Sequence, residues 1–242
     1  MDMRELAGRL ADVRGRIAAA SVRAGRGRDP DAVLLVAVTK TLAPEVVRLA
    51  YALGLRDFGE NRVQEAREKR LALALPEARW ELIGHLQSNK AARAVELFDR
   101  VQSLDSERLA AALDGRAASL GRTLPVLLEV NVSGEASKSG LAPAELGAVA
   151  RAVVALPHLR PEGLMTVAPM VTDAEAARPV FRELRRLRDW LRDAVPTGPD
   201  GGWPHLSMGM SDDYTVAIEE GATIVRLGRA LFGARPTTET RP

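Results

Sequence analysis

The chain has 242 residues, 46% of them hydrophobic, a formal net charge of +2 and no cysteine. That is enough apolar chain for one large α/β domain or two small ones, and it excludes disulfides, thiol chemistry and cysteine-ligated zinc. No basic block interleaved with aromatic residues suggests nucleic acid, no apolar run reaches the length of a membrane span, and the charged N-terminus lacks an apolar leader, so a cytoplasmic protein is expected. His85, His158 and His205 do not have ligand spacing.

Residues 2–25 predict an amphipathic helix, with Leu6, Leu10, Val13 and Ile17 on one stripe and an end near Gly25. A polar loop from Gly27 to Asp31 leads into Val33-Leu34-Leu35-Val36-Ala37-Val38-Thr39-Lys40. This apolar, β-branched run reads as a strand buried on both faces, and Pro44 begins the helix after it. Side chains alternate along a strand, so Leu34, Val36, Val38 and Lys40 share one face, with the amine at the C-terminal end.

Alternation of strand and helix then continues without a break. Strands are predicted at 55–59, 79–83, 100–104, 126–132, 160–165, 205–208 and 222–227. The second opens into a helix from about Asn61 to Leu75. After the third, Ser88 or Asn89 is a candidate helix cap. The fifth ends among Asn131, Ser133, Gly134, Glu135, Ser137, Lys138, Ser139 and Gly140. A helix with Phe181, Leu184, Leu187 and Leu191 inward follows the sixth, and a helix stopping near Gly221 follows the seventh. Eight such units of uniform composition predict a single (β/α)₈ barrel over 1–242, with an extra N-terminal helix and a flexible tail from about 236 to 242; a doubly wound open sheet is the competing architecture.

Active groups of α/β barrels lie at the C-terminal ends of the strands, where Lys40 is expected. Partial desolvation there lowers an amine's pKa and makes its nucleophilic form accessible; the alternative is a strand-end lysine that reaches solvent or pairs with a carboxylate. Only four of the 34 basic residues are lysines, so each is informative. Lys69 reads as a solvated helix position with i,i+4 partners.

The loops after strands seven and eight, where barrels commonly bind phosphate, are Ser207-Met208-Gly209-Met210-Ser211 and Gly228-Arg229. A helix starting near Ser211 would present its positive end to them, or Ser211 is an ordinary N-cap. Arg226 interrupts an apolar strand. If it faces inward with Ile224, it pairs with a buried carboxylate such as Glu60 or Glu129, or donates to a ring nitrogen of a bound cofactor. An amine, a phosphate cup and a partner for a pyridine nitrogen together suit pyridoxal 5′-phosphate.

The segments Ala37-Val38-Thr39-Lys40, Phe58-Gly59-Glu60-Asn61-Arg62-Val63-Gln64-Glu65, Gly84-His85-Leu86-Gln87-Ser88-Asn89-Lys90, Glu129-Val130-Asn131-Val132, Ser137-Lys138-Ser139-Gly140, Gly163-Leu164-Met165, Leu206 to Asp213 and Val225-Arg226-Leu227-Gly228 span almost the whole chain. In them the sequence resembles the YggS/PROSC-type pyridoxal phosphate homeostasis family. The resemblance implies a barrel similar to the N-terminal domain of alanine racemase, with the cofactor as an aldimine on Lys40. It further implies Arg226 at the pyridine nitrogen, Ser207, Gly228 and residue 229 at the phosphate, and Asn61, Asn131 and Met165 lining the pocket. Arg229 departs from the threonine expected there; its backbone N–H remains, but the hydroxyl is lost.

Three arguments favour a carrier over an enzyme. Arginine stays protonated and leaves the pyridine ring a poor electron sink. A racemase needs a second acid/base face, supplied in the racemase family by a tyrosine of another domain, whereas Tyr51 and Tyr214 lie on predicted helices. The barrel mouth also lacks an evident lid. The expectation is a non-catalytic protein that holds pyridoxal phosphate and exchanges it with apo-enzymes or the free pool, as a monomer with a weak dimer as the alternative. A weak racemase-like enzyme and a Schiff-base aldolase are the competing readings. Lys90 and Lys138 are candidates for transient acceptance of the cofactor during release.

Overall fold

In a computed structural model, which describes residues 1–27, 29, 32–198 and 202–234, eight parallel strands follow one another in chain order and close into a barrel. They are β1 (Leu34–Val38), β2 (Asp57–Glu60), β3 (Arg79–Leu82), β4 (Arg100–Leu104), β5 (Leu124–Glu129), β6 (Leu159–Met165), β7 (His205–Ser207) and β8 (Ile224–Leu227). Among the described residues the helices are α1 (Met3–Arg23), α2 (Pro44–Ala52), α3 (Val63–Ala72), α4 (Ala91–Leu97), α5 (Glu107–Ser119), α6 (Leu146–Val154), α7 (Arg178–Ala194), α8 (Tyr214–Glu219) and α9 (Arg229–Phe232). The tail expected from about 236 lies outside the described residues, as does part of the Gly27–Asp31 loop. No described helix is long and apolar enough to cross a membrane.

Closure decides against the open sheet, because β1 pairs with both β2 and β8. The period of two is visible in the core: Leu34 and Val36 join Leu127, Met165, Ile224 and Val167 inside the barrel, while Leu35 and Ala37 pack outward under the helices. Val36 stands opposite Arg226, so closure brings the two ends of the chain's chemistry together. The leading helix begins with Asp2 accepting from the Glu5 N–H at 2.8 Å and buries Leu6, Leu10, Val13 and Ile17. It packs on α8 and α9.

Several local expectations are corrected. The helix predicted over 61–75 is shorter, at Val63–Ala72, and the strand predicted over 126–132 is Leu124–Glu129, which leaves Asn131 in a loop. Ser88 and Asn89 do not cap a helix; they belong to a 3₁₀ turn before α4, and neither element has a side-chain cap. No helix starts at Ser211, because Asp213 Oδ1 accepts from the Met210 N–H at 2.6 Å and folds the chain into a turn, so that α8 begins at Tyr214. The Ser211 hydroxyl instead accepts from the Ala230 N–H at 3.1 Å.

Lys69 is the largest correction. It is buried, and its ammonium donates to Glu60 Oε1 and to the Thr39 carbonyl, both at 2.6 Å. Its own helix offers no sign of this, because the acceptors belong to other elements.

Candidate functional site

The Lys40 turn lies just beyond β1. Thr39 continues the ladder, donating its N–H to the Gly59 carbonyl at 3.0 Å, and its carbonyl then accepts from the Leu42 N–H at 3.0 Å. That turn holds Lys40 at the barrel mouth and forces Thr41 to φ 65°, a left-handed conformation uncommon for a β-branched residue. The Thr41 N–H donates to Glu65 Oε2 at 3.0 Å, and the Thr39 hydroxyl donates to Glu60 Oε1 at 2.6 Å.

Arg226 is buried at the facing end of β8. It donates from Nη1 to Ser207 Oγ and from Nη2 to the Thr166 carbonyl, each at 2.7 Å. Neither sequence-derived carboxylate partner meets it: Glu60 is taken by Lys69, and among the described residues Arg226 makes no ion pair within hydrogen-bonding reach. Ser207 Oγ donates onward to Gln102 Oε1 at 2.6 Å, and Gln102 Nε2 donates to Glu81 Oε2 at 2.6 Å. Glu81, Gln102, Ser207 and Arg226 thus form one hydrogen-bonded chain through the barrel.

Burial pushes the Arg226 guanidinium down to about 10, opposed by Glu129 and Asp213, so it remains a cation at neutral pH. Burial pushes Glu129 up to about 7; Asp105 adds to the rise, and Arg226 and His85 oppose it. Glu81 is likewise raised to about 7, first by burial, against Arg100 and Gln102. A carboxyl raised in the fold binds more protons than in the unfolded chain, so its contribution to stability falls as pH rises from about 4.5 to about 7 and is flat above that. Glu81→Gln should flatten this slope, removing up to about 3 kcal/mol of pH dependence. Urea unfolding across that window checks it, and an unchanged slope in the variant would assign the effect elsewhere.

Lys40 and Arg226 meet in one cavity of about 590 Å³, lined also by Val38, Asn61, Ile83, Val167, Met210, Ser211, Gly228, Arg229 and Ala234. Lys40, Asn61, Arg226, Gly228 and Arg229 are therefore brought together among the residues singled out in the sequence. Others lie elsewhere. Met165 is fully buried in the barrel interior. The hydroxyl of buried Ser207 donates to Gln102 and accepts from Arg226. Met208 is buried, with its N–H on the Ile224 carbonyl at 3.1 Å. Gly209 has φ 94°, and a Cβ there would lie 2.6 Å from that of Ala217.

The Asn131 side chain braces its own loop, donating to the Glu135 carbonyl at 2.9 Å and accepting from the Gly134 N–H at 3.1 Å. Arg229 reaches the cavity rim, where its exposed guanidinium pairs with Asp212. Lys138 Nζ donates to Glu135 at 3.1 Å and to the Val167 carbonyl at 3.3 Å, whereas Lys90 lines a neighbouring cavity. Sequence reasoning missed Glu81 and Gln102, although each interrupts a buried strand as Arg226 does. It also missed the burial of Lys69 against Glu60 and Thr39, for which no local signal exists.

Among the described residues the cavity lining contains no histidine, tyrosine or carboxylate. Tyr214 is buried in the outer core, and Tyr51 lies under the Arg56 guanidinium at 4.1 Å. His85 pairs with Asp105 at 2.9 Å in the adjoining cavities.

The sequence model of the family described as "Alanine racemase, N-terminal domain" matches residues 19–236. The pyridoxal phosphate homeostasis protein of Pseudomonas aeruginosa is 46% identical over 233 residues, which cover 96% of this chain and 97% of that protein. The chain belongs to the pyridoxal phosphate homeostasis protein family. Within that likeness, PipY of Synechococcus elongatus, solved with PLP bound, is 39% identical with a TM-score of 0.81, over 94% of this chain and all of that one. Alanine racemase of Clostridium difficile shares the fold alone, at 17% identity and a TM-score of 0.73; the match covers 97% of this chain but only 57% of the racemase.

Proposed function

We propose that this member of the family binds pyridoxal 5′-phosphate at the barrel mouth, attached covalently through Lys40, and serves cofactor homeostasis by holding and exchanging it without catalytic turnover. The observation that carries the reading is the meeting of Lys40 and buried Arg226 in one cavity whose described lining includes no second acid/base group. The residues fit the group. Lys40 provides the amine, and Arg226 a fixed cation for the ring nitrogen. The backbone at Gly228 and Arg229 provides N–H donors for a phosphate, with the Arg229 side chain turned to Asp212 at the rim.

When bound, the cofactor supplies an aldehyde for the lysine and a ring able to store charge. Arg226 cannot release a proton at neutral pH, so it fixes the ring's position without strengthening it as an electron sink. The naming of the Pseudomonas relative and the bound PLP of PipY support the same assignment. The proposed recipients are apo-enzymes that use the cofactor, served in the cytoplasm by a monomer.

Visible absorption of the purified protein, followed by borohydride reduction and peptide mass mapping, tests the reading. A yellow protein with the pyridoxyl group on the Lys40 peptide, and amino-acid turnover no faster than with free cofactor, is expected. A colourless protein that stays unmodified with added cofactor would sink the binding assignment, and turnover well above background would sink the carrier assignment.

A further inference from the structure

Both peptide groups flanking Lys40 are held by charged side chains of α3. The Thr39 carbonyl accepts from Lys69 Nζ at 2.6 Å, and the Thr41 N–H donates to Glu65 Oε2 at 3.0 Å. Glu65 and Lys69 are four residues apart and so project from one face of the helix. Lys69 is anchored in turn by Glu60 Oε1, which also receives the Thr39 hydroxyl, each at 2.6 Å. The Lys69 and Glu60 side chains are only 6% and 0% exposed.

A buried ion pair is weak evidence for stability, since apolar residues of similar volume often serve packing as well. What an apolar residue at 69 cannot do is bond the Thr39 carbonyl. The grip acts on a strained segment: Thr41 stays at φ 65° only while its neighbours over-determine it. Loss of either bond lets the turn relax and moves the root of the Lys40 side chain, and displacements on the order of 1 Å cost a reacting group up to about a hundredfold in rate.

We propose that Lys69 and Glu65 are positioning residues for Lys40, with Glu60 and Thr39 as the anchor, so that α3 sets the orientation and reactivity of the site's amine. The proposal rests on the reading of Lys40 as the reactive amine but not on the identity of the cofactor.

The test uses the full-length protein without cofactor. An amine-acylating probe is applied across pH, and modification of Lys40 is measured by peptide mass mapping against exposed Lys90 in the same sample. In Lys69→Met that still melts cooperatively, Lys40 should react about tenfold more slowly. Amide exchange at Thr41 and Leu42 should quicken, and Lys69→Arg should restore part of both effects. A folded Lys69→Met whose Lys40 reacts within about twofold of wild type overturns the proposal.

If Lys69→Met does not fold, Glu65→Gln decides by the same two readouts, because Glu65 is only partly buried. Unchanged Lys40 reactivity and Thr41 exchange in it overturn the proposal. A wild-type protein that takes up no pyridoxal phosphate, yet shows this dependence on residues 65 and 69, would refute the cofactor reading and leave the positioning role standing.

Discussion

Lys40→Ala is expected to purify without a visible absorption band and, after borohydride reduction with added pyridoxal phosphate, to yield no pyridoxyl peptide above the background of exposed lysines. Lys40 is the one lysine lining the cavity among the described residues. Lys69 is buried and bonded to Glu60 and Thr39, and Lys138 is braced by Glu135 and the Val167 carbonyl, so neither takes its place without rearrangement. The expected loss of affinity is about a hundredfold or more, near 3 kcal/mol at about 1.4 kcal/mol per tenfold. Lys40→Arg separates charge from nucleophilicity, since it keeps a cation that stays protonated. Equilibrium dialysis of the cofactor checks the affinities. Wild-type-like retention by Lys40→Ala would show that the binding is carried by the other cavity residues or that another lysine is the attachment point.

Gly163→Ala should destabilise the fold by about 3 kcal/mol or more and reduce the yield of soluble protein. Gly163 stands opposite His205 where β6 pairs with β7. A Cβ there would lie 2.0 Å from the His205 carbonyl oxygen, 2.7 Å from its carbonyl carbon and 2.9 Å from its Cα, all backbone, so no rotamer change relieves the clash. The displacement would pass along the register to Ser207, paired with Met165, and from Ser207 to Arg226. Gly115→Ala is the matching control. It lies within α5 with nothing within 4 Å of its Cβ position, and should gain up to about 1 kcal/mol. Urea midpoints of the two variants check both signs, and a Gly163→Ala protein as stable as wild type would refute the β6–β7 register.

The parts of the site legible in the sequence are those written in local periodicity. Alternation in Leu34, Val36, Val38 and Lys40 assigns the amine to the inner face before any partner is known, and those apolar residues do line the barrel and its cavity. Arg226 is detectable because a cation inside an apolar strand needs a reason. The eight strand–helix units are equally local, each read from a short strand-like run followed by a helical segment. Residue identity alone says less, because it does not fix which partner a polar side chain takes. Ser207 and Asn131 have the right chemistry for a ligand, but their hydrogen-bonding groups are taken by Gln102 and Arg226 and by their own loop, whereas Ser211 lines the cavity while accepting from the Ala230 N–H.

The pairing of polar groups is what the sequence by itself could not determine. Barrel closure lays β1 against β8, setting Val36 opposite Arg226 although 190 positions separate them. It likewise aligns Glu81, Gln102, Ser207 and Arg226, from four strands, into one hydrogen-bonded chain. Lys69 shows the limit most clearly. Among Glu65, Arg67, Glu68 and Arg70 it reads as one more solvated charge, yet the Thr39 carbonyl and Glu60 lie where its amine reaches them, so it is buried. Burial of an apolar side chain depends on area and follows from pattern, whereas burial of a charged one requires particular partners at bonding distance, and only the tertiary structure places them.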